Sequence, residues 1–202
     1  MNKRIGIYAG TFDPIHSGHI AFALQALEAN KLDQVYYMLE RRPRDKPKAE
    51  HFAHRVAMLR RALKPHPKFQ LLEMVESNFS VKQTMPKLKE QFSGDELIFL
   101  FGSDVIPNLE KWPNSKQLIS NGEFIVGLRN NDDRDTIKAI VDNWKSRPKT
   151  ITIIDSYAPH VSSGKVRSAL RSNKKAHGLL SSVERYSGNN WLYVSLASVD
   201  IP

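Results

Sequence analysis

The chain has 202 residues, of which 41% are hydrophobic and 25% are charged, a composition typical of a globular protein and unlike that of a disordered chain. Its formal net charge of +9 favours acidic partners, such as phosphorylated small molecules, nucleic acid or an anionic membrane, although solvated basic faces give the same total. The sequence contains no cysteine, which excludes disulfides, thiolate nucleophiles and cysteine-bound zinc.

Strands and helices are predicted to alternate along most of the chain. Short apolar runs predict strands at residues 4–9, 34–39, 69–72, 96–101, 123–128 and 150–154. Helical spacing of apolar residues predicts helices at 17–30, 51–64, 81–91 and 133–144, of which the third is interrupted or started near Pro86. In the second helix, we expect Arg and Lys to lie opposite an apolar stripe of Phe52, Val56, Leu59 and Leu63.

This alternation predicts a Rossmann-like α/β fold, with a parallel sheet covered by helices on both faces. We expect a single domain over residues 1–202, in which residues 163–202 form a small helical C-terminal part.

The first motif, GTFDPIHSGH, directly follows the first predicted strand. Gly10 permits close approach of the backbone to a ligand, Pro14 stiffens the turn, and Gly18 lets a helix begin without a Cβ in the way. The N–H groups at a helix start favour an anion, and His16 and His19 are spaced to face the same ligand. A polar turn with an ordinary helix cap is the alternative interpretation.

The motif resembles the signature of the nucleotidyltransferase superfamily, with its His-x-Gly-His core, and most closely that of nicotinate or nicotinamide mononucleotide adenylyltransferases. The resemblance implies that the motif holds ATP and stabilises the transferring α-phosphoryl group. It assigns ATP binding to Gly10, Thr11, Phe12 and Gly18, and catalysis to His16 and His19. On this interpretation the imidazoles and the helix start supply positive charge, Mg²⁺ arrives with ATP, and the protein has no metal site of its own.

A second motif, HVSSGKVRSAL at residues 160–170, places two serines at a predicted helix start, with an arginine one turn along. It is similar to the Ile-Ser-Ser-Thr-x-Ile-Arg element of the same family. That similarity implies that Ser162, Ser163 and Arg167 bind the outer phosphates of ATP. Gly164 replaces the family's threonine, which removes one hydroxyl contact.

A third element, LFGSDVIPNLEKW, follows the most apolar predicted strand and resembles the family's Gly-x-Asp with a downstream Trp. The resemblance implies that Gly102 makes room for the nucleoside, Asp104 accepts from a ribose hydroxyl, and Trp112 stacks on the pyridine ring. Core packing explains Trp112 nearly as well, and a helix cap explains Asp104.

Two stretches depart from the family pattern in the region expected to recognise the acceptor. Phe79–Thr84 replaces a hydroxyl-rich Ser-Tyr-Thr-x-x-Thr string, and residues 44–48 replace Pro-Pro-His-Lys. We expect acceptor contacts from Lys46, Lys48, Thr84, Trp112 and Arg129, although a solvated basic loop explains the two lysines equally well.

The predicted reaction joins ATP and nicotinate mononucleotide to give the dinucleotide and pyrophosphate, with nicotinamide mononucleotide as the other candidate acceptor. The net positive charge of the chain favours nicotinate mononucleotide over nicotinamide mononucleotide. The alternatives are a different phosphomonoester acceptor, such as phosphopantetheine, and a non-catalytic nucleotide- or RNA-binding protein. We expect a cytoplasmic enzyme without a membrane partner, because no run of the sequence has the pattern of a signal peptide or a membrane span. We also expect no nucleic-acid partner. A homo-oligomer is left open.

Overall fold

The computed structural model describes residues 2–43, 46–73, 76–129 and 132–194. Its centre is a six-stranded sheet in which every pair of neighbouring strands is parallel. The strands are β1 (Arg4–Gly10), β2 (Gln34–Leu39), β3 (Phe69–Glu73), β4 (Glu96–Gly102), β5 (Glu123–Gly127) and β6 (Thr150–Ile154). Each one overlaps a predicted strand, which confirms the Rossmann-like fold class.

Eight α-helices accompany the strands in the described part of the chain. They are α1 (Ser17–Ala29), α2 (Phe52–Leu63), α3 (Val81–Gln91), α4 (Ile106–Leu109), α5 (Ser115–Asn121), α6 (Arg134–Asp142), α7 (Ser163–Arg171) and α8 (Ser181–Asn189). Helices α1, α2 and α8 contribute to one hydrophobic cluster, whereas α3, α4, α5 and α6 contribute to a second.

The two clusters lie on opposite faces of the sheet. Tyr8 and Leu100 belong to the first cluster, whereas their strand neighbours Ile7 and Phe99 belong to the second. Because successive side chains of a strand point to opposite faces, a sheet that is covered on both sides requires strands that are apolar throughout. The continuous apolar runs of the sequence meet that requirement.

The strand order β3-β2-β1-β4-β5-β6 reverses direction between β1 and β4. In open parallel sheets, ligands bind beyond the carboxyl ends of the strands at such a switch point. Gly10 and Gly102 end these two adjacent strands. The fold therefore places the first and third sequence motifs side by side.

Helix α3 corrects one prediction, because it runs without interruption from Val81 to Gln91 and contains Pro86. Proline removes the N–H that would bond to the carbonyl of Lys82. Both residues are exposed, so water can reach the freed carbonyl. The sequence patterns also missed α4, α5 and the 3₁₀ turn Ser103–Val105, which are too short to show a helical period.

The helical character predicted for residues 163–202 agrees with α7 and α8, while residues 195–202 lie outside the described residues. Val183 of α8 packs in the cluster that contains α2. Among the described residues, no helix combines the length and apolar character needed to cross a membrane.

Candidate active site

A cleft of about 760 Å³ opens at the carboxyl edge of the sheet. It gathers residues from all three motifs and from the basic loop. The predicted site residues that line it are Gly10, Thr11, Phe12, His16, His19, Lys46, Lys48, Gly102, Asp104, Trp112, Arg129, Ser162, Ser163 and Arg167. Gly18 lines a smaller adjoining cavity of about 30 Å³, beside both histidines.

The loop after β1 is tightly folded at the cleft wall. A Cβ on Gly10 would lie 3.0 Å from the ring of Phe12, and Phe12 itself has a left-handed backbone, with φ of 46°. The hydroxyl of Thr11 accepts a 3.0 Å hydrogen bond from Lys46 Nζ. A larger residue at position 10 would therefore require the Phe12 ring to shift, and Lys46 is anchored to the first motif.

His16 and His19 lie together at the start of α1, where His16 is the N-cap residue. Their rings stack with centroids 3.7 Å apart. The backbone N–H of His16 donates to Nδ1 of His19 at 3.3 Å. Because Nδ1 of His19 is an acceptor, its ring proton resides on Nε2, which leaves that nitrogen as a hydrogen-bond donor.

Both imidazoles are neutral at physiological pH. Burial, reinforced by the charge of Arg129, lowers the pKa of His16 from 6.5 to about 3. Burial also holds the pKa of His19 well below 6.5, with further lowering by His16, Arg129 and Lys46. The expectation that the imidazoles supply positive charge is therefore wrong for the free protein. Among the residues that the structure describes, the cations that line the cleft are Lys46, Lys48, Arg129, Arg167 and Arg171.

Helix α7 is fastened to the first motif by its own N-terminal residues. Ser163 Oγ donates to the carbonyl of Pro14 at 2.9 Å, and Arg167 Nη1 donates to the carbonyl of Asp13 at 2.6 Å. Ser162 caps the helix by accepting from the N–H of Lys165. The first and second motifs, which are far apart in the sequence, thus form one wall of the cleft.

The third motif meets β5 at the cleft. The carboxylate of Asp104 pairs with Nε of Arg129 at 3.3 Å. A Cβ on Gly102 would lie 2.4 Å from that carboxylate and 2.6 Å from Arg129, so a larger residue here would require this ion pair to move. Asp104 does not cap the 3₁₀ turn, whose N-cap residue is Gly102.

Trp112 takes part in core packing, and its stacking on a pyridine ring stays a prediction. Its ring packs 6.0 Å from the ring of Phe79 and 6.2 Å from that of Phe101, at the edge of the second hydrophobic cluster. It also lines the cleft, so part of its surface remains available to a ligand.

The structure does not bring Thr84 to the cleft. Its side chain is buried in the first turn of α3, where its hydroxyl accepts a 3.0 Å hydrogen bond from the N–H of Ser80. We expected the Thr84 hydroxyl to contact the acceptor substrate, but it caps its own helix instead.

Arg55 departs from the expectation that the arginines of α2 lie opposite its apolar stripe. It is 1% exposed, and its guanidinium donates to the carbonyls of Thr11, Glu40, Arg41 and Glu50. Arg55 follows Phe52 by three residues and precedes Leu59 by four, a spacing that indicates the same face of the helix as the apolar stripe. That spacing is the signal by which it could have been found.

Comparison with known proteins agrees with this geometry. The Cytidylyltransferase-like family model matches residues 7–169. The chain is 32% identical to a nicotinate-nucleotide adenylyltransferase of Bacillus subtilis, over 96% of this chain and all of that protein. It is 34% identical to a probable nicotinate-nucleotide adenylyltransferase of Coprothermobacter proteolyticus, with 95% and 96% of the two chains covered.

A solved structure with the same fold is the Plasmodium falciparum nicotinic acid mononucleotide adenylyltransferase complexed with NaAD. It superposes with a TM-score of 0.78 over 95% of this chain and 98% of that chain, at 20% identity. The predicted family and enzyme class are confirmed. The chain belongs to the nicotinate-nucleotide adenylyltransferase family and is a nucleotidyltransferase.

Proposed function

We propose that the chain, as a single domain, transfers the adenylyl group of ATP to the phosphate of nicotinate mononucleotide and releases pyrophosphate. The observation that carries the proposal is the shared cleft wall, in which Arg167 and Ser163 of the second motif bond directly to the first. Nicotinate mononucleotide is the expected acceptor because relatives carry that name and because basic side chains line the cleft.

In the proposed reaction an oxygen of the acceptor phosphate attacks the α-phosphorus as the bond to the leaving pyrophosphate breaks. Positioning and charge stabilisation account for most of such catalysis, and no covalent enzyme intermediate is needed. The neutral imidazoles of His16 and His19 act as N–H donors to the nonbridging oxygens of the α-phosphoryl group. Mg²⁺ enters as part of the substrate MgATP.

The positive charge comes from side chains that surround the histidines. Arg167 and Ser163 at the start of α7 hold the leaving pyrophosphate. Lys46, which bonds to Thr11 in the loop after β1, adds a further positive charge to the cleft. Asp104 accepts from a ribose hydroxyl, and Trp112 stacks on the pyridine ring.

The cysteine-free composition fits the reducing cytoplasm, which we propose as the location.

The test is ATP-dependent release of pyrophosphate, measured with a panel of acceptors. The panel contains nicotinate mononucleotide, nicotinamide mononucleotide and phosphopantetheine. Dinucleotide formation from a pyridine mononucleotide is the expected result. Activity with phosphopantetheine alone, or with none of the three, would overturn the proposal.

A further inference from the structure

Glu40 lines the cleft, yet none of the sequence motifs assigns it a role. It directly follows β2, and its backbone is held from both sides. Its N–H donates to the carbonyl of Gly10 at 3.2 Å, and its own carbonyl accepts from Arg55 at 2.9 Å. The position of this residue beside the first motif is therefore fixed by the sheet and by a buried cation.

The carboxylate of Glu40 lies on the acceptor side of the cleft. Its Oε1 accepts a 3.1 Å hydrogen bond from the backbone N–H of Phe79. The ring of Phe79 packs against Trp112, and all three residues line the cleft. A negative charge is thus placed on the wall that carries the proposed stacking face.

Two cations of the cleft have partners other than Glu40. Lys46 donates to the hydroxyl of Thr11, and Arg129 pairs with Asp104. The ion pairs found between described residues do not include Glu40. The buried guanidinium of Arg55 lies beside Glu40 and offsets part of its charge, and the remainder acts on a ring substituent that occupies this part of the cleft.

We propose that Glu40 determines acceptor specificity by weakening the preference for an acidic ring substituent and admitting a carboxamide. A carboxylate on the pyridine ring is repelled by Glu40 at short range. A carboxamide instead carries N–H donors that the Glu40 carboxylate can accept. The pyridinium charge is common to both mononucleotides, so their ratio isolates the effect of the substituent. This inference rests on the proposed function.

The test compares kcat/KM for nicotinate and nicotinamide mononucleotides in the wild type and in Glu40→Gln. Glutamine keeps an oxygen that can accept from the Phe79 N–H and removes the charge, but it also introduces N–H donors, so Glu40→Ala is measured beside it. We expect the nicotinate-to-nicotinamide ratio to rise ~10-fold or more in this variant. The matched control is Glu96→Gln, which removes the same charge at the opposite edge of the sheet and should leave the ratio unchanged.

Calorimetric binding of the two mononucleotides without ATP supplies a second readout. Glu40→Ala is the second variant, and it is used alone if the glutamine variant fails to fold. An active wild type whose ratio is unchanged or lowered by loss of the charge overturns the inference and leaves the proposed function standing. A wild type that uses neither mononucleotide overturns both.

Discussion

The hydroxyl of Tyr193 donates a 2.6 Å hydrogen bond to Oδ1 of Asp13, so the segment after α8 is fastened to the loop that begins the cleft. Both side chains are about 5% exposed. The carbonyl of Asp13 also accepts from Arg167. Asp13 therefore joins the C-terminal segment and α7 to the first motif, through its carboxylate and its backbone carbonyl.

Replacing Tyr193 by Phe removes this hydrogen bond and leaves a buried carboxylate without its donor. We expect the free energy of unfolding to fall by about 1–3 kcal/mol and the KM for ATP to rise, because the loop loses an anchor. Urea denaturation and steady-state kinetics measure the two effects. In the control Tyr186→Phe, which removes a hydroxyl bonded to His54, the KM for ATP should not change. An equal effect of the two variants on that KM would contradict the role given to Tyr193.

His16→Ala tests the proposed chemistry. Loss of an N–H donor at the α-phosphoryl group should lower kcat by ~10²–10³-fold, with a much smaller change in ATP affinity. The control is His66→Ala, since that ring packs beside Phe69 outside the cleft. A folded His16→Ala protein with normal kcat would remove His16 from the mechanism.

The low pKa of His16 predicts that acid destabilises the folded protein. Between pH 6.5 and about pH 3 the unfolded chain binds a proton at this residue that the folded chain does not. The stability contributed by the neutral ring is complete above pH 6.5 and is lost as the pH falls.

His16→Asn, which retains a good N-cap residue, should therefore reduce the loss of unfolding free energy between pH 8 and pH 5 by about 2 kcal/mol. Urea denaturation at the two pH values measures this difference. His66→Asn is the control outside the cleft. The same acid sensitivity in His16→Asn and the wild type would show that this ring does not titrate as described.

Arg167→Ala addresses the leaving group. Because the start of α7 is proposed to hold the outer phosphates, we expect ATP and pyrophosphate to bind ~10-fold or more weakly, while AMP binding changes little. Lys165→Ala is the matched control, because Lys165 lies on the same helix but does not line the cleft. Equal losses for AMP and ATP would place the contact elsewhere.

Much of the fold could be predicted because the strands of a doubly covered sheet are apolar throughout, and because α1 and α2 show clear helical spacing. Most of the candidate site could also be predicted, since each anion-binding motif sits at a recognisable strand end or helix start. The failures have a common physical origin. Whether Arg55 is buried, whether His16 is charged and where the Thr84 hydroxyl turns all depend on packing between segments distant in the sequence. Local patterns do not contain that information.

Arg55 has a consequence for how the cleft presents its peptide dipoles. A trans peptide holds its C=O and N–H on opposite sides, so a carbonyl of Thr11 drawn toward the guanidinium turns the following N–H, that of Phe12, away from it. The carbonyl oxygens, which are the negative ends of these dipoles, thus point toward the buried Arg55 guanidinium. They do not face an anion that enters the cleft. Lysine could not do the same, because a compact ammonium lacks the planar fork that reaches several carbonyls at once. Arg55 therefore shapes the wall of the cleft, although it is not itself among the described residues that line the cleft.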